Sequence, residues 1–321
     1  MSENKTISYE NFKKEIFENI LDYLPDSYKG CVVQIAQILK PNKKIDVLSL
    51  VDTDSQFSPS LYIEDYYDHY LKGCSIHYIL KDMAAKYLEA MQYVKRQNLD
   101  LNSLTDYENV KDLIYPRLID KNSNREFLEG VPHKEMADLA ITYAIRINAA
   151  SPTPGLATVS NSLFDCWKKD INEIHEAAIR NMERADDIEF SNINEILKRI
   201  YGSMHKTACL NFWGPTYKEN CQENDLIPIY VLRSEHSVPY GAALLLSKNL
   251  MQHVIKTCGK NLLILPSTIY NCIIIPNVAD ESIPSFRKMV EEVNNNAVEV
   301  QERLSNNVYR YDSEKNELYI A

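Results

Sequence analysis

Glycine is scarce in this chain. Eight of 321 residues are glycine (Gly30, Gly73, Gly130, Gly155, Gly202, Gly214, Gly241 and Gly259), and the closest two stand twelve residues apart. Phosphate-cradling loops and nucleophile elbows need clustered glycines, because their backbone takes positive φ or runs against a ligand. The spacing therefore excludes G-x-G-x-x-G, G-x-x-x-x-G-K-S/T and G-x-S-x-G. ATP, GTP or NAD held by a glycine-rich loop is excluded with them. Long apolar runs are missing too. The longest, Leu262–Leu265 and Cys272–Pro276, are far too short to cross a bilayer. Paired cysteine motifs are also missing. The seven cysteines (Cys31, Cys74, Cys166, Cys209, Cys221, Cys258 and Cys272) are odd in number, widely spaced and never C-x-x-C. A disulfide framework or zinc ribbon would look different, so no metal is expected, and no cofactor.

The chain has an ordinary hydrophobic fraction of 45% and a net charge of −10. Its length suffices for a sizeable core in more than one domain. Acidity argues against anionic membranes and nonspecific nucleic-acid binding, which want basic surface. The polar N-terminal residues do not read as a signal peptide. Together with scattered cysteines, this predicts a reduced, cytoplasmic protein.

Helical spacing of Phe12, Ile16, Ile20 and Leu24 predicts a first helix from about Ser8, and two extended runs, Cys31–Leu39 and Ile45–Val51, follow. Helices are predicted from Ser60 and on to about Gln97, and strands at Tyr115–Ile119 and Leu139–Ile147. In the latter, Leu139, Ile141, Tyr143 and Ile145 alternate with Ala140, Thr142, Ala144 and Arg146, as in a half-buried strand. Ser151–Gly155 reads as a connector, Ile171–Arg184 as a helix capped at Asp170, Ser191–Tyr201 as a helix, and Gly202–Leu226 as an irregular loop. From Ile227 onward strand pairs alternate with helices: Ile229–Leu232 with Ala242–Leu246, Leu262–Leu265 with Ile269–Ile275, and Val308–Tyr311 with Leu318–Ile320. The helices between them carry Met251, Val254 and Cys258, then Phe286, Met289, Val290 and Val293, on their inner faces. The expected fold is α+β, with largely antiparallel sheets, helices packed on one face and a C-terminal ββαββαββ unit. The expected divisions are an N-terminal region over 1–150, a helical connector over 151–226 and a C-terminal region over 227–321.

Several segments carry a resemblance. They are Leu61-Tyr-Ile-Glu-Asp-Tyr-Tyr-Asp-His-Tyr70, Tyr115-Pro-Arg-Leu-Ile119 with Asn124 and Val131-Pro-His133, Tyr230-Val-Leu-Arg233 with Tyr240-Gly-Ala-Ala243, and Ile273-Ile-Ile-Pro276. In this order, from about residue 8 to 315, the chain resembles an uncharacterised family of clostridial (gut Firmicutes) proteins catalogued as a domain of unknown function. The resemblance implies a bacterial, intracellular protein, with a mobile element as one origin, and implies no activity, cofactor or catalytic residue.

Two loops stand out as sites, because functional residues gather on loops at strand ends. One holds Arg117, Asp120, Asn124, Arg125, His133 and Asp138; the other holds Arg233, Glu235 and His236, with Tyr240 beyond. Cys74 and His77, three apart at a helix start, form a thiol–imidazole pair whose plainer reading is packing. His175-Glu176 lacks the second histidine of H-E-x-x-H, since position 179 is isoleucine, and Asp52/Asp54 lack the rest of a calcium loop. Tyr62, Tyr66 and Tyr70 form a helical stripe, read chiefly as core. The expected function is a protein-binding or regulatory module, a monomer or weak dimer whose partner is another protein. The alternatives are a hydrolase or nuclease-like enzyme using His133, His236 and carboxylates, and a nucleic-acid-binding protein.

Overall fold

A computed structural model describes residues 6–51, 59–97, 101–147, 155–201 and 228–321. The loop at 202–226, Asp52 with Asp54, and the connector up to residue 154 lie outside them. The chain divides into two compact units, Met1–Leu101 and Asn102–Ala321.

In the first unit α1 (Tyr9–Asn19) begins at Ser8, whose hydroxyl accepts from the Asn11 N–H at 3.4 Å. Strands β1 (Val32–Lys40) and β2 (Lys43–Val51) form an antiparallel hairpin with Lys40 opposite Lys43. Its turn is only Pro41-Asn42, because the strands run on past Leu39 and begin before Ile45. Proline supplies the first turn position, and Asn42 takes φ 62°, a left-handed conformation asparagine tolerates. The short β3 (Leu61–Tyr62) completes the sheet, and α2 (Ile63–Leu71) and α3 (Ile76–Gln97) follow. Phe12, Ile16, Leu48, Leu50, Ile63, Ile79 and Met83 fill the core. Tyr66, Tyr67 and Tyr70 pack against it, while Tyr62 is 40% exposed. The tyrosine hydroxyls have structural partners: Tyr67 donates to the Ile7 carbonyl at 3.0 Å, and Tyr70 accepts from the Ile7 N–H at 3.3 Å.

The second unit runs α4 (Tyr107–Val110), β4 (Ile114–Asp120), α5 (Arg125–Glu129), β5 (Lys134–Met136), β6 (Leu139–Ile147), β7 (Gly155–Thr158), α6 (Asn161–Trp167) and α7 (Ile171–Glu183). It continues with β8 (Ile188–Asn192), α8 (Ile193–Tyr201), β9 (Tyr230–Ser234), α9 (Lys248–Cys258), β10 (Leu262–Thr268), β11 (Asn271–Pro276), α10 (Ile283–Asn296), β12 (Tyr309–Asp312) and β13 (Glu317–Ile320). One sheet has the order β4-β6-β5, with β7 also paired to β6; the other has the order β13-β12-β10-β11-β9-β8. Every described strand pair is antiparallel, and the fold is α+β.

Four details differ from the sequence reading. Gly241–Leu246 is a buried 3₁₀ helix and not the second strand of a pair, so the C-terminal segment is not ββαββαββ. The partners of β9 are β11 and β8, the latter a strand whose last two residues, Ser191 and Asn192, were read as helix. Helices cover both faces of the six-stranded sheet, not one. Successive residues of a strand point to opposite faces: Leu262 and Ile264 join the cluster holding Met251 and Val254 of α9, while Leu263 and Leu265 join Phe286 and Val290 of α10. Val293, expected inward, is 43% exposed.

β6 is buried from Leu139 to Ile145, on both sides. Leu139, Ile141, Tyr143 and Ile145 pack in the cluster that holds Ile174, Ala178 and Met182 of α7. The opposite face carries Ala140, Thr142 and Ala144, whose small size lets the Tyr240–Leu246 segment approach.

Candidate functional site

Arg117 projects from β4 on that small-residue face, directly opposite Thr142 of β6. It is 5% exposed. Its Nε donates to Thr142 Oγ1 at 3.1 Å and its Nη1 to Tyr240 Oη at 3.4 Å. The rings of Phe127 and Tyr240 lie 5.4 and 5.3 Å from the guanidinium carbon, within cation–π range. Nη2 is buried without a hydrogen-bond partner. Two residues picked from the sequence, Arg117 and Tyr240, thus meet.

The other residues of the first loop are separately committed. Asn124 is buried and donates from Nδ2 to the Asp120 carbonyl at 2.7 Å, and its own carbonyl accepts from the Leu128 N–H, so it fixes the start of α5. Asp138 is a buried acceptor for three groups of the C-terminal segment: Tyr309 Oη at 2.7 Å, Ser305 Oγ at 3.0 Å and Asn307 Nδ2 at 2.9 Å. Burial, with this carboxylate beside it, pushes the Tyr309 phenol far up.

His133 lines an open cleft of about 340 Å³ with Lys121, Asn122, Arg125, Leu128, Glu129 and Glu135. Its Nδ1–H donates to the Val131 carbonyl at 3.0 Å, which leaves Nε2 as the ring's other polar atom. Lys121 pairs with Glu135 at 2.9 Å, whereas Arg125 contacts Asn122 Oδ1 at 3.3 Å and, among the described residues, has no carboxylate within 4.0 Å.

The second loop is held from below. Asp187 accepts from Ser234 Oγ (2.8 Å) and from the N–H groups of His236 (2.6 Å) and Ser237 (2.8 Å). Burial alone would raise the Asp187 carboxyl; these hydrogen bonds overcome it and hold it down at about 2. Arg233 pairs with Glu189 at 2.7 Å, and Arg199 contacts the same carboxylate. His236 is exposed and joins the network through its backbone.

Neither remaining sequence pair assembles a catalyst. His77 Nδ1 is bonded to Tyr23 Oη at 2.8 Å, and Cys74 packs against the core of the first unit. His175 faces the buried Tyr143 hydroxyl at 3.1 Å. Burial, with Lys134 adding to it, pushes His175 down to about 4, against roughly 6.5 in an unfolded chain. The fold therefore keeps a neutral imidazole, and the unfolded chain binds the extra proton between those values. The contribution is fully present above pH ~6.5 and is lost as pH falls toward ~4. Urea midpoints of the parent should drop more steeply than those of His175→Gln over that window; parallel profiles would show that His175 does not carry the effect.

A family of unknown function (DUF5688) matches residues 9–313, almost the whole chain. The chain belongs to that family. No curated protein and no solved structure matches it. Among the described residues of this DUF5688 protein no helix is long and apolar enough to cross a membrane, and no group of three His, Cys, Asp or Glu side chains is placed to hold a metal ion.

Sequence reading missed Asp187, Thr142, Phe127 and Lys121. Asp187 belongs to no motif and acts on a loop about 50 residues away. Thr142 was legible as the one hydroxyl among the small residues of β6. A second cleft, of about 450 Å³, also had no signal: Phe190 and Tyr230, stacked at 4.9 Å, line it with Asn192, Asn194, Glu195, His253 and Thr257 from three separate segments.

Proposed function

We propose that this protein is a protein-binding or regulatory module, and that the cleft around His133 receives an acidic group of another protein. What supports the reading is Arg125. It lines a cleft with Lys121 and His133, yet no described carboxylate neutralises it, so its charge is available to a ligand. The remaining polar residues picked from the sequence hold loops and turns together. A cytoplasmic setting, with the chain acting as a monomer or weak dimer, accords with the free cysteines, of which Cys272 is wholly buried with its thiol pushed far up. The test is affinity capture from producing cells with the parent and with Arg125→Glu/His133→Ala. Both substitutions are at the cleft surface, so the variant should melt like the parent, and the partner retained by the parent should be lost. That partner should also elute with rising salt, since exposed ion pairs are screened. Equal recovery by parent and variant would refute the proposal.

A further inference from the structure

We propose that the sheet face beneath the 234–240 loop is an anion site, in which Arg117 and Arg146 receive a small ligand bearing a carboxylate or phosphate group. Arg146 lies four residues beyond Thr142 on β6, and side chains two or four apart on a strand share a face. Arg117, opposite Thr142, is on that face as well. Each guanidinium holds the overlying loop by one bond: Arg117 to Tyr240 Oη at 3.4 Å, Arg146 Nη1 to the Ser237 carbonyl at 3.1 Å. Each also keeps one buried nitrogen without a partner, Nη2 in Arg117 and Nε in Arg146. Among the described residues three buried side-chain nitrogen or oxygen atoms lack a partner, and two of the three are here. Such orphans are rare in folded proteins and call for an explanation.

Guanidinium groups stay charged at any accessible pH. A buried charge without a counter-charge is costly; Arg117 is buried and Arg146 half-buried, and among the described residues no carboxylate comes within 4.0 Å of either guanidinium. The groups around Arg117 are the hydroxyls of Thr142 and Tyr240 and the rings of Phe127 and Tyr240, all neutral; Arg146 meets the Ser237 carbonyl, in a loop whose N–H and hydroxyl groups already occupy Asp187 and Asp186. A cation would be repelled, and a neutral ligand would leave the charges uncompensated. An oxyanion supplies both the missing acceptors and the missing charge. None of these residues lines the His133 cleft, so the inference stands apart from the protein-binding reading.

The experiment is thermal melting and calorimetric titration of the full chain in Tris chloride, with inorganic phosphate in one arm and succinate in the other. Sodium chloride at matched ionic strength is the control. Binding should be saturable, and the parent should gain roughly 5 °C when the anion stands about 100-fold above its Kd. The arm that responds identifies the headgroup. Arg117→Met and Arg146→Met should abolish the gain, and Arg180→Met, on the exposed face of α7, should keep it. If neither anion shifts the parent beyond chloride, the orphaned nitrogens are met by water and the proposal fails. Retention of the gain in both methionine variants would also overturn it. If Arg117→Met does not fold, the parent titration and Arg146→Met still decide.

Discussion

Replacing Gly241 by alanine is expected to destabilise the protein by about 3 kcal/mol or more, at the upper end of what overpacking costs. A Cβ at this position would stand 2.1 Å from the Tyr270 carbonyl oxygen, 3.1 Å from its carbonyl carbon and 3.2 Å from the Ser234 nitrogen. All three are backbone atoms, so no side chain can swing aside. The glycine is required by close approach, since its φ is not in the left-handed region. Relief means moving the 3₁₀ segment away from the β10–β11 turn. That movement strains the bond from the Ala242 N–H to the Ile269 carbonyl, 3.1 Å, and the contact of Tyr240 with Arg117. Gly30→Ala is the control: nothing lies within 4 Å of its Cβ and its φ is ordinary. It should be neutral or slightly stabilising through the unfolded chain. Equal urea midpoints for the two variants would show that the close approach does not exist in solution.

Much of the fold was legible because helices and strands carry different periods. The inward faces of α1, α3 and α9 follow from apolar residues three and four apart, and Asp170 and Ser247 mark helix starts by their capping oxygens. The failures have physical causes. Ala242–Leu246 is apolar throughout and buried as far as Leu245, so it has no period to separate strand from 3₁₀ helix. β6 alternates in size and not in polarity; alanine and threonine can be buried as fully as isoleucine, so a strand covered on both faces looked half-exposed. The candidate site was legible residue by residue but not as an arrangement. Arg117 and Tyr240 are 123 positions apart, and only the packing of the 3₁₀ segment against β4 brings them together. Asn124 and Asp138 look like loop polar groups in the sequence. The fold shows why they are there: Asn124 donates to the Asp120 carbonyl, and Asp138 accepts from hydroxyls that would otherwise be buried alone.

Asp138→Ala is the second large effect, expected to cost about 3–5 kcal/mol, because it removes three hydrogen bonds to a charged acceptor at once, each worth about 1.5–3 kcal/mol and not fully additive. The carboxylate accepts from three donors, and its loss strands the Tyr309 and Ser305 hydroxyls in the interior. It also frees the β5–β6 turn. There Met136 opposes Leu139, so Ala137 and Asp138 are the whole turn, and Ala137 is held at φ 55°, a left-handed conformation unfavourable for alanine. The bonds to Asp138 keep that turn in place. Asp138→Asn keeps the shape and one oxygen acceptor but loses the charge, so it should fall between alanine and parent. Tyr309→Phe removes one donor without leaving the carboxylate bare, and should cost about 1.5–3 kcal/mol, a hydrogen bond to a charged group. Combined with Asp138→Ala it should add less than its separate cost, because the two residues share one bond. The experiment is urea unfolding of the four variants at neutral pH. A ligand-binding Asp138 that is not structural would give the opposite pattern: Asp138→Ala within about 0.5 kcal/mol of the parent, as for an ordinary surface substitution, and full additivity with Tyr309→Phe.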